Sequence, residues 1–217
     1  MKMKPRYLVI FLCLCGIFLI NVGAVQNVSL ESLMGQYFKE AMSQESERAA
    51  VSDASLPLAE YHGEKVYQRE VEYYNKINNL SAVESQTTEE TLAEIMQNIV
   101  LYDEATKLGY AATQEEIDAM VANSRNAYET PEGKKMMDQY CEGDNITIEE
   151  YFDLLEEQAP RVIARQKLLD AVGKKYCEEN DLTFTKVNPP AEMVEARDVY
   201  VDELLTKAAG EITYYTD

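Results

Sequence analysis

Apolar positions recur at three-and-four spacing along Leu92, Ile95, Met96, Ile99, Tyr102 and Ala105. That period gathers them into one stripe of an α-helix. Gly109 follows where a helix C-terminus needs a residue tolerant of positive φ. Thr113 and Glu116 then have the spacing of a capping box, in which each side chain satisfies a backbone donor of the other residue. Ile117, Met120, Val121, Ser124 and Tyr128 continue a largely apolar face. The stretch predicts a helical hairpin and is silent on chemistry.

The same rules organise the flanks. Leu58–Tyr61 and Lys65–Tyr67 alternate around His62-Gly63-Glu64, which predicts a small β-hairpin with the glycine supplying the turn. A helix is expected from Gln68 to Leu80, with Val71, Tyr74, Ile77 and Leu80 on one side. Thr87 with Glu90 opens the central hairpin. Thr130-Pro131 starts a short helix running to about Tyr140, and Gly143-Asp144-Asn145 turns the chain. Thr147 and Glu150 form another capping pattern before Tyr151, Phe152, Leu154 and Leu155. Pro160 removes a backbone donor and is expected to break or kink that helix. The pattern resumes from Val162 to Tyr176, and a last helix follows Pro189-Pro190. The tail from Glu211 to Thr216 alternates like a strand that pairs with the hairpin.

Residues 1–25 have the form of a targeting segment. Lys2, Lys4 and Arg6 precede an uncharged run from Tyr7 to Ile20. A cleaved signal and an uncleaved anchor both fit, since Val22 and Ala24 make a passable cleavage site and the run extends to Val25. Either way the rest is expected outside the cytoplasm, because positive flanks stay inside. Residues 26–55 hold a short amphipathic helix (Val28–Met42) and a polar linker, and 56–217 form the main domain.

Charge narrows the partners. The chain carries 20 basic and 39 acidic side chains, a formal charge of -19. Such a surface repels phosphate backbones, which argues against nucleic acid, and favours basic partners. Of four cysteines, only Cys141 and Cys177 lie beyond the N-terminal run. They are too few for a four-cysteine zinc site. A disulfide between them would stabilise by roughly 3–4 kcal/mol in the chain-entropy model; two thiols are equally compatible with the sequence.

Several phrases then occur in a familiar order. They are His62-Gly63-Glu64-Lys65-Val66-Tyr67, Glu70-Val71, Glu104-Ala105-Thr106-Lys107-Leu108-Gly109, Thr113 to Ile117, Thr147 to Tyr151, and Lys167-Leu168-Leu169. From Leu58 to Tyr176 the chain resembles the N-terminal chaperone domain of the SurA and PrsA foldases, itself related to the chaperone region of trigger factor. His62 stands where that family usually has Asn, and Tyr67 where it often has a Ser or Thr cap. The resemblance implies a mainly α, multi-helix domain with a small hairpin and a C-terminal strand. It also implies ATP-independent binding of unfolded or exported polypeptides. Many relatives carry a parvulin prolyl-isomerase domain. Only Glu178 to Pro190 separates the two closing helices here, too little for such a domain, so isomerase activity is not expected.

The side-chain inventory points the same way. His62 is the one histidine, and it falls in a tight turn. Adjacent acid pairs such as Glu149-Glu150 diverge on a helix. No phosphate loop, metal cluster or nucleophile elbow stands out, so no cofactor is expected. Met96, Met120, Met136, Met137, Tyr73, Tyr74 and Tyr140 are candidates for an adaptable client-binding surface, as flexible Met-rich sites are elsewhere. Met136 and Met137 are adjacent in a polar helix and cannot both face one interior, so one is expected at the surface. A non-catalytic envelope scaffold reusing the same fold is the alternative function.

Overall fold

The computed structural model describes residues 57–80, 86–144 and 146–215, without the side chains of 76–80 and 143–144. The expected targeting segment, the Val28–Met42 helix and the linker lie outside the described residues. The fold is mainly helical with a small antiparallel sheet. In order the elements are β1 (Ala59–Tyr61), β2 (Glu64–Val66), α1 (Gln68–Leu80), α2 (Thr88–Lys107), α3 (Gln114–Tyr128), α4 (Pro131–Asp144), α5 (Ile148–Glu179), α6 (Ala191–Ala208) and β3 (Thr213–Tyr214). They gather into two compact units. One holds Arg69–Thr91 and Gln114–Ala159, the other Leu56–Gln68, Leu92–Thr113 and Pro160–Asp217.

In the second unit the sheet runs β2-β1-β3, with both pairings antiparallel. Tyr61 pairs with Glu64, so the loop is the two residues His62 and Gly63, at φ 49° and 86°. Positive φ at both positions is what a type I′ hairpin turn needs, and its twist suits the strands. Histidine, like Asn, is enriched among the non-glycine residues that adopt this region. One face of the sheet is buried through Ala59, Tyr61 and Val66. Glu64, on the same face as Tyr61, contacts Arg161 of α5, whose guanidinium also lies 5.1 Å from the Tyr102 ring centroid. Leu101 and Ala105 of α2, Ala164 and Leu168 of α5, and Val201 of α6 form the core.

Helix ends follow their local sequence. At the end of α2, Gly109 has φ 82°, its N–H donates to the Thr106 carbonyl, and the Tyr110 N–H reaches Ala105. These two bonds make a Schellman cap. Asp181, at φ 54°, closes α5 the same way, with the Leu182 N–H on the Cys177 carbonyl. Thr87 with Glu90, and Thr147 with Glu150, are reciprocal capping boxes.

One expectation is corrected and one narrowed. Helix α4 runs on to Asp144, past the expected end near Tyr140. Of the break or kink expected at Pro160, the break does not occur, because α5 continues from Ile148 to Glu179. A proline inside a helix costs about 3 kcal/mol. Ala159, Val162, Ile163 and Ala164 are all buried around it, and that burial outweighs the lost bond.

Candidate functional site

The first unit carries most of the residues expected to touch clients. Its core is Met137, Cys141, Tyr151, Phe152 and Leu155, with Met120, Val121, Tyr128 and Tyr140 packed around it. The aromatic rings meet edge to face. Tyr140 and Tyr151 are 5.5 Å apart, Tyr151 and Phe152 5.5 Å, and Tyr128 and Phe152 6.1 Å. Such pairs stabilise beyond the area they bury. On α1, Tyr73 and Tyr74 are half-buried with rings 5.6 Å apart. Asn75 donates to the Gln86 carbonyl and to the buried Thr91 hydroxyl, which fixes the entry into α2.

Two of the expected contact residues belong to the interior. Met96 is 1 % exposed and Met137 2 % exposed. Each fills the core, as an unbranched, polarisable side chain does well. Met120, Met136 and Tyr140 are half-buried and keep surface for contact. The adjacent methionines thus divide as their spacing demands, Met137 inward and Met136 toward the surface.

Of the two states left open for the cysteines, the structure has the thiols. Cys141 and Cys177 are both buried, and no disulfide joins them. Cys141 fills space beside Met137 and Tyr151 in the first unit, and Cys177 lies in α5 of the second. Each acts as a small apolar side chain.

Charge rims the first unit. Arg125 of α3 donates both terminal nitrogens to Glu149, at 2.9 and 3.3 Å, and stacks 4.1 Å from the Phe152 ring centroid. That fork holds the Glu149 carboxyl below the usual carboxylate range. Lys134 donates to the Tyr128 hydroxyl at 2.5 Å and pairs with Asp138 at 3.2 Å. Its ammonium is held above the ordinary lysine range, first by the Tyr128 bond and then by Asp138.

The second unit holds a separate polar cluster that local sequence patterns did not single out. His62 stacks on Tyr61 at 4.0 Å and faces a carboxylate from each ring nitrogen. Nε2 lies 2.6 Å from Glu211, and Nδ1 lies 3.3 Å from Asp103. Asp103 also accepts from the Tyr61 hydroxyl at 3.1 Å and pairs with Lys107 at 2.7 Å. Partial burial pushes the Asp103 carboxyl up, but the Lys107 and Tyr61 bonds together outweigh it and leave the group below its ordinary value. Burial first, and then Asp103, push the Tyr61 hydroxyl up. With both ring nitrogens engaged, the cluster ties the hairpin turn to α2 and to the segment leading into β3. Only the Asp103–Lys107 spacing was visible locally; Glu211 lies 149 positions from His62.

Among the described residues no group of three or more His, Cys, Asp or Glu side chains could hold a metal ion, and no helix is long and apolar enough to cross a membrane. No protein-family model, no curated protein and no solved structure matches the chain.

Proposed function

We propose that the chain is an extracytoplasmic, chaperone-like module that binds unfolded or exported polypeptides without ATP and without a covalent step. In this reading the N-terminal segment exports it or tethers it to a membrane, and the helical region is a SurA-like module without an isomerase domain. The observation that carries the reading is that half-buried Met120 and Tyr140 pack on an aromatic core, with half-buried Met136 next to core Met137 on the same helix. Flexible methionines and tyrosines re-pack around varied apolar side chains at little strain. The ordered phrases from the hairpin to Leu169, and a C-terminal strand that completes the hairpin's sheet, support the same reading.

The test is suppression of aggregation of a reduced, unfolding model client. Suppression that rises with added protein and needs no nucleotide is expected. No effect at several-fold excess over client would overturn the proposal. A proline-peptide isomerisation assay run beside it should stay at the uncatalysed rate.

A further inference from the structure

Acidic side chains outnumber basic ones thirteen to three between Gln114 and Ala159. Two of those three cations are occupied nearby, Arg125 by Glu149 and Lys134 by Asp138 and Tyr128. On α5, Asp153 and Glu157 are exposed one turn apart, and no described ion pair uses either. Leu154 stands beside them and is 46 % exposed, the most open large apolar residue among the described residues of this unit. One turn back from Leu154 is Tyr151, whose ring meets the half-buried Tyr140. Leu154 and the half-buried Tyr140, both neighbours of the buried Tyr151, therefore leave apolar surface near the exposed carboxylates of Asp153 and Glu157.

The unit already holds a cation on the neighbouring side of the same helix. Arg125 lies over the Phe152 ring with its fork on Glu149, and Asp153 and Glu156 add to the field it feels. Ring plus carboxylate is a favourable setting for a guanidinium. Beside Leu154, neither Glu157 nor Asp153 is in a described ion pair, although Asp153 adds to the field at Arg125.

We propose that this surface is the docking site for a basic, apolar polypeptide segment, one with a large apolar side chain flanked by Lys or Arg. The apolar side chain lies on Leu154 and the exposed part of Tyr140, and the flanking cations meet Asp153 and Glu157. The inference rests on the polypeptide-binding reading above and names the client chemistry of that function. Apolar contact supplies the area, while the carboxylates select against acidic segments and speed encounter.

The test is fluorescence anisotropy with the full chain and three dye-labelled peptides. They share one apolar pattern, and their flanking positions are all Lys and Arg, all Gln, or all Glu. The basic peptide should bind about tenfold more tightly than the Glu peptide, with the gap closing as salt is added. D153N/E157Q should weaken the basic peptide about fivefold and flatten its salt dependence, while barely changing the Gln peptide. L154S should weaken the basic and Gln peptides alike. E192Q/E203Q on α6 removes the same charge elsewhere and should leave binding as it was. All these positions are exposed, and matching thermal unfolding curves confirm that each variant is folded. The proposal is overturned if the three peptides bind equally, or if D153N/E157Q and E192Q/E203Q behave alike. Suppression of client aggregation without charge preference would sink this inference and leave polypeptide binding standing; absence of both would remove both.

Discussion

Gly173→Ala should destabilise the protein, although glycine to alanine inside a helix ordinarily stabilises by about 1 kcal/mol. Gly173 lies buried in α5, and a Cβ there would stand 2.6 Å from Arg197 Nε, 2.9 Å from Nη2 and 3.0 Å from Cζ. Arg197 reaches this spot from α6. Its Nη2 donates to Asp170 at 2.9 Å, and the two side chains are each 20 % exposed. Lys186 holds the same carboxylate at 2.5 Å. The guanidinium can swing aside only by giving up the Asp170 bond, and a hydrogen bond to a charged partner is worth about 1.5–3 kcal/mol. Setting the propensity gain against that loss leaves a net destabilisation of about 0.5–2 kcal/mol. In an R197A background the obstruction is gone, and the same glycine change should stabilise by about 1 kcal/mol. The coupling between the sites is then about 1.5–3 kcal/mol, within reach of a double-mutant cycle. Urea unfolding of the four proteins, followed by helical circular dichroism, reads it directly. If Gly173→Ala stabilises in both backgrounds by the same amount, Arg197 moves without penalty and the reasoning fails.

Gly133→Ala should cost about 2–3 kcal/mol in the same assay, because its Cβ would stand 2.0 Å from the Ala127 carbonyl oxygen and the α3–α4 corner would have to shift. Thr147→Ala removes the hydroxyl that accepts from the Glu150 N–H at 3.2 Å and should cost about 1 kcal/mol. Asp103→Asn should cost about 1 kcal/mol at neutral pH, read by urea unfolding. Because the folded-state value of Asp103 is lowered, that contribution is present above the ordinary carboxylate value of 3.8 and fades as pH falls through the folded one; a difference that persists in strong acid would refute it. In a chain lacking Cys13 and Cys15, two thiols should titrate after denaturation without reductant and neither before it, since Cys141 and Cys177 are buried and unbridged.

Most of the fold could be read because its signals are local. The capping boxes at Thr87 and Thr147 each act within three residues. The Gly109 terminus needs only a residue that tolerates positive φ. The tail was expected to pair with the hairpin, and β3 does pair with β1, through Ala59 with Tyr214 and Glu60 with Thr213. The break that Pro160 allowed for does not occur, because the proline penalty is a local quantity. What keeps α5 whole is the burial of Ala159, Val162, Ile163 and Ala164, and sequence alone does not show the elements that cover them.

The candidate site was legible only where two neighbouring residues constrain each other. Met136 and Met137 are about 100° apart on a helix, so one had to turn outward whatever the tertiary structure. Met96 and Met120 offered no such lever. Both lie on apolar helix faces, and whether such a face meets a neighbour or solvent depends on chain far away in sequence. Met96 proves to be core, while Met120 keeps part of its surface. The same limit hid Leu154, which looked like one more member of an apolar face with Tyr151, Phe152 and Leu155. It differs from them only in being left uncovered beside Asp153 and Glu157. An exposed leucine alone needs no explanation. Flanked by exposed carboxylates on an acid-rich stretch, it defines a partner by charge as well as by apolar area, and that combination is what the three peptides separate.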